Sequence, residues 1–101
     1  FPVEVRFAAA DDLMLSTAHG RETAYIAVHR YWREDPSEYF RAVEEIMTQY
    51  GGRPHWGKMH TLGADELRVL NPRDDDLVAL RNEMDPERLF RNAYLARGLW
   101  A

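Results

Sequence analysis

A chain of 101 residues with 46% hydrophobic and 30% charged side chains is sized for one small globular unit, which excludes disordered, collagen-like and fibrous classes. Thirteen basic against seventeen acidic residues leave a net charge of -4, without the basic stripe that a phosphate backbone needs, so nucleic acid is not an expected partner. No cysteine is present, which excludes disulfides, thiol catalysis and thiolate-held metals and is compatible with a reducing, cytoplasmic setting.

No apolar run approaches the ~20 residues of a spanning helix, so membrane association is not indicated. The start, Phe1-Pro2-Val3-Glu4, has neither an initiator methionine nor the positive region of a signal peptide. A chain that opens directly in strand-like alternation is expected to be cut from something longer.

From Phe1 to Phe7 the apolar residues Phe1, Val3, Val5 and Phe7 alternate with Pro2, Glu4 and Arg6, the period of a strand with one buried face. Glu4 and Arg6 then project from one side. Ala8 to Gly20 reads as a connection with one short extended piece around Leu13 to Leu15, and His19 beside Gly20 reads as a turn residue. Thr23 to Trp32 is the strongest strand, rich in Tyr, Ile, Val and Trp. Ala24, Ile26 and Val28 form its oily side; Tyr25, Ala27, His29 and Tyr31 form the other. If the two strands are neighbours, Glu4, Arg6, His29 and Tyr31 share a surface suited to a polar ligand.

Asp35-Pro36-Ser37-Glu38 starts a helix: a capping aspartate, a proline whose missing donor does no harm, and a glutamate placed for a capping box. It runs to about Tyr50, with Tyr39, Val43, Ile46, Met47 and Tyr50 as a buried stripe and Arg41, Glu44 and Glu45 facing water. Gly51-Gly52 ends it. The stretch Arg53-Pro54-His55-Trp56-Gly57-Lys58-Met59-His60 is an irregular loop, because Pro54 and Gly57 oppose a helix. Lys58 between Trp56 and Met59 is a candidate charge-binding or reactive group, through desolvation by apolar neighbours. Ala64 to Leu70 and Asp75 to Met84 read as short helices, the second with Leu77, Leu80 and Met84 on one side; the run Arg73-Asp74-Asp75-Asp76 reads as helix-capping and solvated charge rather than a metal site. Asp85-Pro86 starts one more turn through Phe90, and the apolar tail Tyr94, Leu95, Leu99 and Trp100 docks on something. The expected class is α+β, antiparallel strands with a packed helix and a helical tail.

Three separated pieces together carry a resemblance. Glu4-Val5-Arg6 on a strand, His55-Trp56-Gly57-Lys58 on a loop, and Asp85-Pro86 followed by Phe90, Asn92, Tyr94 and Leu95 resemble the C-terminal part of the FAD-dependent aldonolactone oxidoreductases. These are the gulonolactone, galactonolactone and arabinonolactone oxidases or dehydrogenases and the related alditol oxidases, of the vanillyl-alcohol oxidase fold. The resemblance implies that residues 1–70 belong to a substrate, or cap, domain and that residues 71–101 return as a helical tail to an FAD-binding domain built by the N-terminal part of the same enzyme. It implies that Glu4 and Arg6 hold a sugar's hydroxyls, that Lys58 binds beside the reacting hydroxyl, and that His29 and Tyr31 continue the polar wall. Lys58, Arg6 and Glu4 are the implied catalytic set, and His55, Lys58 and Asn92 the implied contacts to FAD.

Two positions depart from the family pattern. Tyr31 stands where alditol oxidases carry a threonine, and its bulk argues against a linear polyol. Arg88 stands where relatives often have glycine, which puts the local turn in question. The implied chemistry is hydride transfer from the secondary alcohol of a sugar 1,4-lactone to flavin, giving an ascorbate-type product. The alternatives are polyol oxidation, a non-catalytic α+β interaction module with its tail as the docking segment, and a metal site on His29, His55 and His60.

Overall fold

Two strands and four helices follow in chain order over residues 2–99, the part that the computed structural model describes. Strand β1 (Val3–Ala8) pairs antiparallel with β2 (Thr23–Val28), with Val3 opposite Val28, Glu4 opposite Ala27, Val5 opposite Ile26 and Arg6 opposite Tyr25. The α+β class is as expected. Strand β2 stops at Val28, short of Trp32, because β1 offers no partner beyond Val3; Tyr31 and Trp32 instead enter a turn closed by the Glu34 amide on the Tyr31 carbonyl, 2.9 Å.

The ribbon turns its oily side outward. Val3 and Val5 are each 53% exposed, Phe7 83% and Ile26 47%, so the face expected to be buried is open among the described residues. The polar face is the better covered one, because the connection from Ala9 to Glu22 folds over it. That connection is organised by Asp11, whose carboxylate takes the Leu13 amide and the Ser16 hydroxyl, and whose backbone bridges to His19. Ala18, within this connection, is buried. Met14 and Leu15 form a turn where an extended piece was expected.

Helix α1 (Ser37–Gln49) begins where the sequence suggests, with the Asp35 carboxylate accepting the Ser37 amide at 2.9 Å, but Pro36 stands at the N-cap and the capping box expected from Glu38 does not form. It ends in a Schellman motif. The Gly51 amide donates to Thr48 and the Gly52 amide to Met47, with Gly51 in the left-handed region at φ 68°. A Cβ on Gly52 would lie 2.8 Å from the Met47 carbonyl oxygen, which is why a second glycine follows. Two further expectations for α1 fail. It contributes no buried residue and does not lie packed on the ribbon. Ile46 and Tyr50 are exposed, whereas Glu44, assigned to the water face, is half-buried and bonded to Thr61.

Helices α2 (Ala64–Leu70), α3 (Asp74–Met84) and α4 (Ala93–Gly98) pack α2 against the other two. Leu67 is the buried centre, and Gly98 approaches it so closely that a Cβ would sit 3.3 Å from its Cδ1. On α3 the inward residues are Asp74 and Arg81, seven apart, while Leu80 and Met84 are 45% and 77% exposed. Of the apolar side read from the sequence only Leu77 is half-buried, and Asp74 pairs inward with Arg68 at 3.7 Å. The radius of gyration, 14.8 Å, exceeds the roughly 13 Å of a compact chain of this length. No helix among the described residues is long and apolar enough to cross a membrane. Phe1, Trp100 and Ala101 lie outside the described residues, and so do the expectations that Phe1 begins the strand alternation and that Trp100 belongs to the docking tail.

Candidate functional site

Register alone assembles the first half of the site. Glu4 and Arg6, two apart on β1, share a face with their partners Ala27 and Tyr25, and the chain carries His29 to the same side. The carboxylate of Glu4 pairs with Arg6 and lies 4.0 Å from His29 Nε2. Tyr25, on the polar side of the strand as the sequence suggests but not among the expected site residues, anchors this face: its hydroxyl meets Thr17 Oγ1 at 2.6 Å. Tyr31 does not extend the wall. It lies past the end of β2, edge-on to Trp32 with ring centroids 6.2 Å apart.

The second half is the loop from Arg53 to Thr61, held by long-range bonds at both ends. At its start, the half-buried Arg53 guanidinium donates to three backbone carbonyls: Leu70 at 2.8 Å, His19 at 2.7 Å and Thr17 at 3.1 Å. Burial, with the nearby Arg21 charge, lowers the pKa of Arg53 from its ordinary value. Trp56 Nε1 donates to the Leu15 carbonyl at 2.9 Å. At the far end, the Glu44 carboxylate receives both the amide and the hydroxyl of Thr61.

Between those anchors, the Lys58 amide closes a turn on the His55 carbonyl at 3.0 Å, and the Gly57 amide donates to His55 Nδ1 at 3.0 Å. Gly57 does not use the left-handed region that its type permits. Lys58 and Met59 are both exposed, so the apolar enclosure expected around the lysine is absent in this chain. Among the described residues its ammonium meets neither an acceptor nor a carboxylate.

The C-terminal helix closes the loop from the other side. Tyr94 donates its hydroxyl to the Trp56 carbonyl at 2.7 Å and meets His60 Nε2 at 2.8 Å. Since the tyrosine proton goes to a carbonyl, which can only accept, His60 Nε2 is the donor of the second bond and Nδ1 is the bare nitrogen. Nδ1 is buried without a partner among the described residues. Burial first, and then the Arg97 charge, lower the pKa of His60, against an opposing influence from Glu44. Asn92 is committed locally: its Oδ1 caps α4 by accepting the Leu95 amide at 2.9 Å.

The structure thus brings Glu4, Arg6 and His29 together on the ribbon and sets His55 and Lys58 on the loop. Two surface hollows, one lined by Phe7 to Ala9 and Glu22 to Ala24 and one between α1 and Met59 to Thr61, include neither Lys58 nor the Glu4 cluster. No three of His, Cys, Asp and Glu gather as a metal site among the described residues, so His29, His55 and His60 do not converge on an ion.

The ribbon cluster, the exposed lysine loop and the C-terminal helix that fastens it belong to one α+β chain. Residues 1–98 match the family profile described as ALO, D-arabinono-1,4-lactone oxidase, and the chain belongs to that family. It is 56% identical over 99 residues to the L-gulono-1,4-lactone dehydrogenase of Mycobacterium tuberculosis, covering 98% of this chain and 23% of that protein. Over 101 residues it is 41% identical to the L-gulonolactone oxidase of Scyliorhinus torazame, and over 95 residues 40% identical to an alditol oxidase of a Streptomyces species, covering 23% and 22% of those proteins. The chain therefore spans less than a quarter of the length of these relatives.

Proposed function

We propose that this chain supplies the substrate-holding wall of an FAD-dependent enzyme, in a cytoplasmic setting, that oxidises a secondary alcohol of a sugar 1,4-lactone. The observation that carries the reading is the Glu4, Arg6 and His29 cluster on one face of the ribbon, a mixed set of donors and acceptors matched to vicinal hydroxyls. Arg6 donates to hydroxyl oxygens, Glu4 accepts from hydroxyl protons and is the candidate base, and His29 lies close enough to Glu4 to orient it. Lys58, whose ammonium has no partner among the described residues, presents it to the reacting oxygen, where positive charge stabilises developing alkoxide character.

The residues present fit a flavin edge in part. His55 and Lys58 are exposed polar groups on one turn, of the type that flavin oxygens accept, whereas the Oδ1 of Asn92 is engaged in its own helix. The chemistry FAD would supply when bound is that of a hydride acceptor; the residues of this chain bind and orient the lactone and hold charge beside its oxygen. The open apolar face of Val3, Val5, Phe7 and Ile26 supports a partner in the remaining, N-terminal FAD-binding part of the same polypeptide, since an exposed patch of this kind marks a surface that another surface covers.

In the intact enzyme, Arg6→Ala and Lys58→Ala each lower kcat/KM for L-gulono-1,4-lactone by tenfold or more, ~1.4 kcal/mol of transition-state stabilisation. Near-normal turnover in both variants overturns the assignment. Rates with xylitol measured beside the lactone separate lactone from polyol oxidation, and the lactone is expected to be the faster substrate.

A further inference from the structure

The loop that carries Lys58 is bracketed by a single side chain of the C-terminal helix. Tyr94 contacts the chain two residues before Lys58, at the Trp56 carbonyl, and two residues after it, at the His60 ring. Its hydroxyl therefore holds the ends of the five-residue span from Trp56 to His60 at one point in space. Arg97, one turn further along α4, adds a 3.4 Å bond to the His60 carbonyl and lies over the Tyr94 ring at 5.6 Å. Within the span, Gly57, Lys58 and Met59 are exposed, and the Gly57 and Lys58 amides bond only to His55, inside the same loop. Helix α4 is itself short, and it is seated by Leu67 against Gly98 and by the Asn92 cap.

We propose that Tyr94 and His60 form a positioning pair that sets the placement of Lys58, so that the C-terminal helix determines how well the lysine reaches the substrate oxygen. The pair works through geometry: the Tyr94 hydroxyl is occupied by the Trp56 carbonyl and by His60 Nε2, and the role given to each side chain is to hold the loop rather than to touch substrate. A tyrosine suits this role because one oxygen can donate to the carbonyl and accept from the imidazole at once. His60 suits it because only its Nε2–H tautomer completes the relay, and the burial of Nδ1 disfavours a second ring proton. A displacement of about 1 Å at a catalytic group is enough to cost orders of magnitude in rate.

This inference rests on the assignment of Lys58 to the reacting oxygen, and the test separates the two. In the intact flavoenzyme, Tyr94→Phe keeps the ring and removes both hydrogen bonds. It is expected to lower kcat for L-gulono-1,4-lactone about tenfold with KM within about twofold, and to speed amide hydrogen exchange in residues 55–60 while leaving the β1–β2 ribbon unchanged. His60→Gln, which restores a donor near the Nε2 position, is expected to retain most of the activity that His60→Ala loses. In a Lys58→Ala background, Tyr94→Phe is expected to have no further effect on kcat. Unchanged exchange in residues 55–60 overturns the clamp. A full tenfold loss from Tyr94→Phe in the Lys58→Ala background overturns the link to the lysine. Normal turnover of Lys58→Ala alone overturns the role given to Lys58 and with it the link, and the exchange data then decide the clamp itself.

Discussion

The β1–β2 ribbon and the loop from Arg53 to Thr61 both present polar groups, but they place them by different physics. On the ribbon, Glu4, Arg6, Tyr25 and His29 share a face because side chains in a strand alternate with period two and the partner strand is in register. No particular side-chain bond is needed to bring them together. In the loop no period operates, and each anchor reaches a residue distant in the chain: Arg53 to Leu70 and Thr17, Trp56 to Leu15, His60 to Tyr94, Thr61 to Glu44. The ribbon should therefore tolerate single truncations structurally while losing function, whereas the loop should lose structure when one anchor is removed.

The sharpest test of that contrast is Arg53. Removal of its guanidinium strands three backbone carbonyls at a half-buried site, so Arg53→Ala should destabilise the intact protein by about 2 kcal/mol. Arg53→Lys should recover little, since one ammonium cannot reproduce the planar fork. Arg6→Ala, which breaks only an exposed pair, should change stability by less than about 1 kcal/mol. Denaturant titration checks both, and an Arg6 cost equal to that of Arg53 would erase the difference.

A smaller effect is expected in the turn after α3. The Asp85 carboxylate accepts the amides of Leu89 and Phe90, and these bonds lower its pKa. Arg88 inside this turn takes φ 57°, a left-handed geometry that a side chain opposes. Arg88→Gly should therefore stabilise the protein by about 1 kcal/mol with turnover unchanged, read from the thermal midpoint. A stabilised turn would show that stapled segments can carry backbone strain that a register-built ribbon does not.

The smallest effect is a pH dependence of the loop anchor. His60 faces Tyr94 and Arg97 on α4 and Glu44 on α1, and its folded pKa is depressed below the ordinary 6.5. The unfolded chain therefore takes up the proton first as pH falls. The contribution of His60 is complete above about pH 6.5 and is lost as pH drops from there through the depressed folded value. Thermal midpoints between pH 8 and pH 5 should fall less for His60→Gln than for the parent protein.

Legibility in the sequence follows the same division. The two strands, the helix start at Asp35, the glycine stop at Gly51-Gly52 and the helix from Ala64 to Leu70 were readable, because caps, breakers and alternation act over a few residues. The common face of Glu4, Arg6 and His29 was readable for the same reason. Tyr31 was misplaced because propensity extends past Val28 while hydrogen-bonding partners do not. Ile46, Tyr50, Leu80 and Met84 were assigned inward because periodicity identifies an apolar stripe without saying whether this chain covers it. Glu44 and Asp74 were assigned to water although each has a partner, Thr61 and Arg68, in a different element.

The amino-acid order by itself determined the α+β class, the family and the polar face of the ribbon, since each rests on local pattern or on motifs read along the chain. Only the tertiary structure decided that Arg53, Tyr94 and His60 hold the lysine loop, that the ribbon's oily side is open and that Arg88 is strained. Those outcomes depend on which distant groups meet, and a hydrogen bond spanning 34 residues leaves no local signature in either partner's neighbourhood.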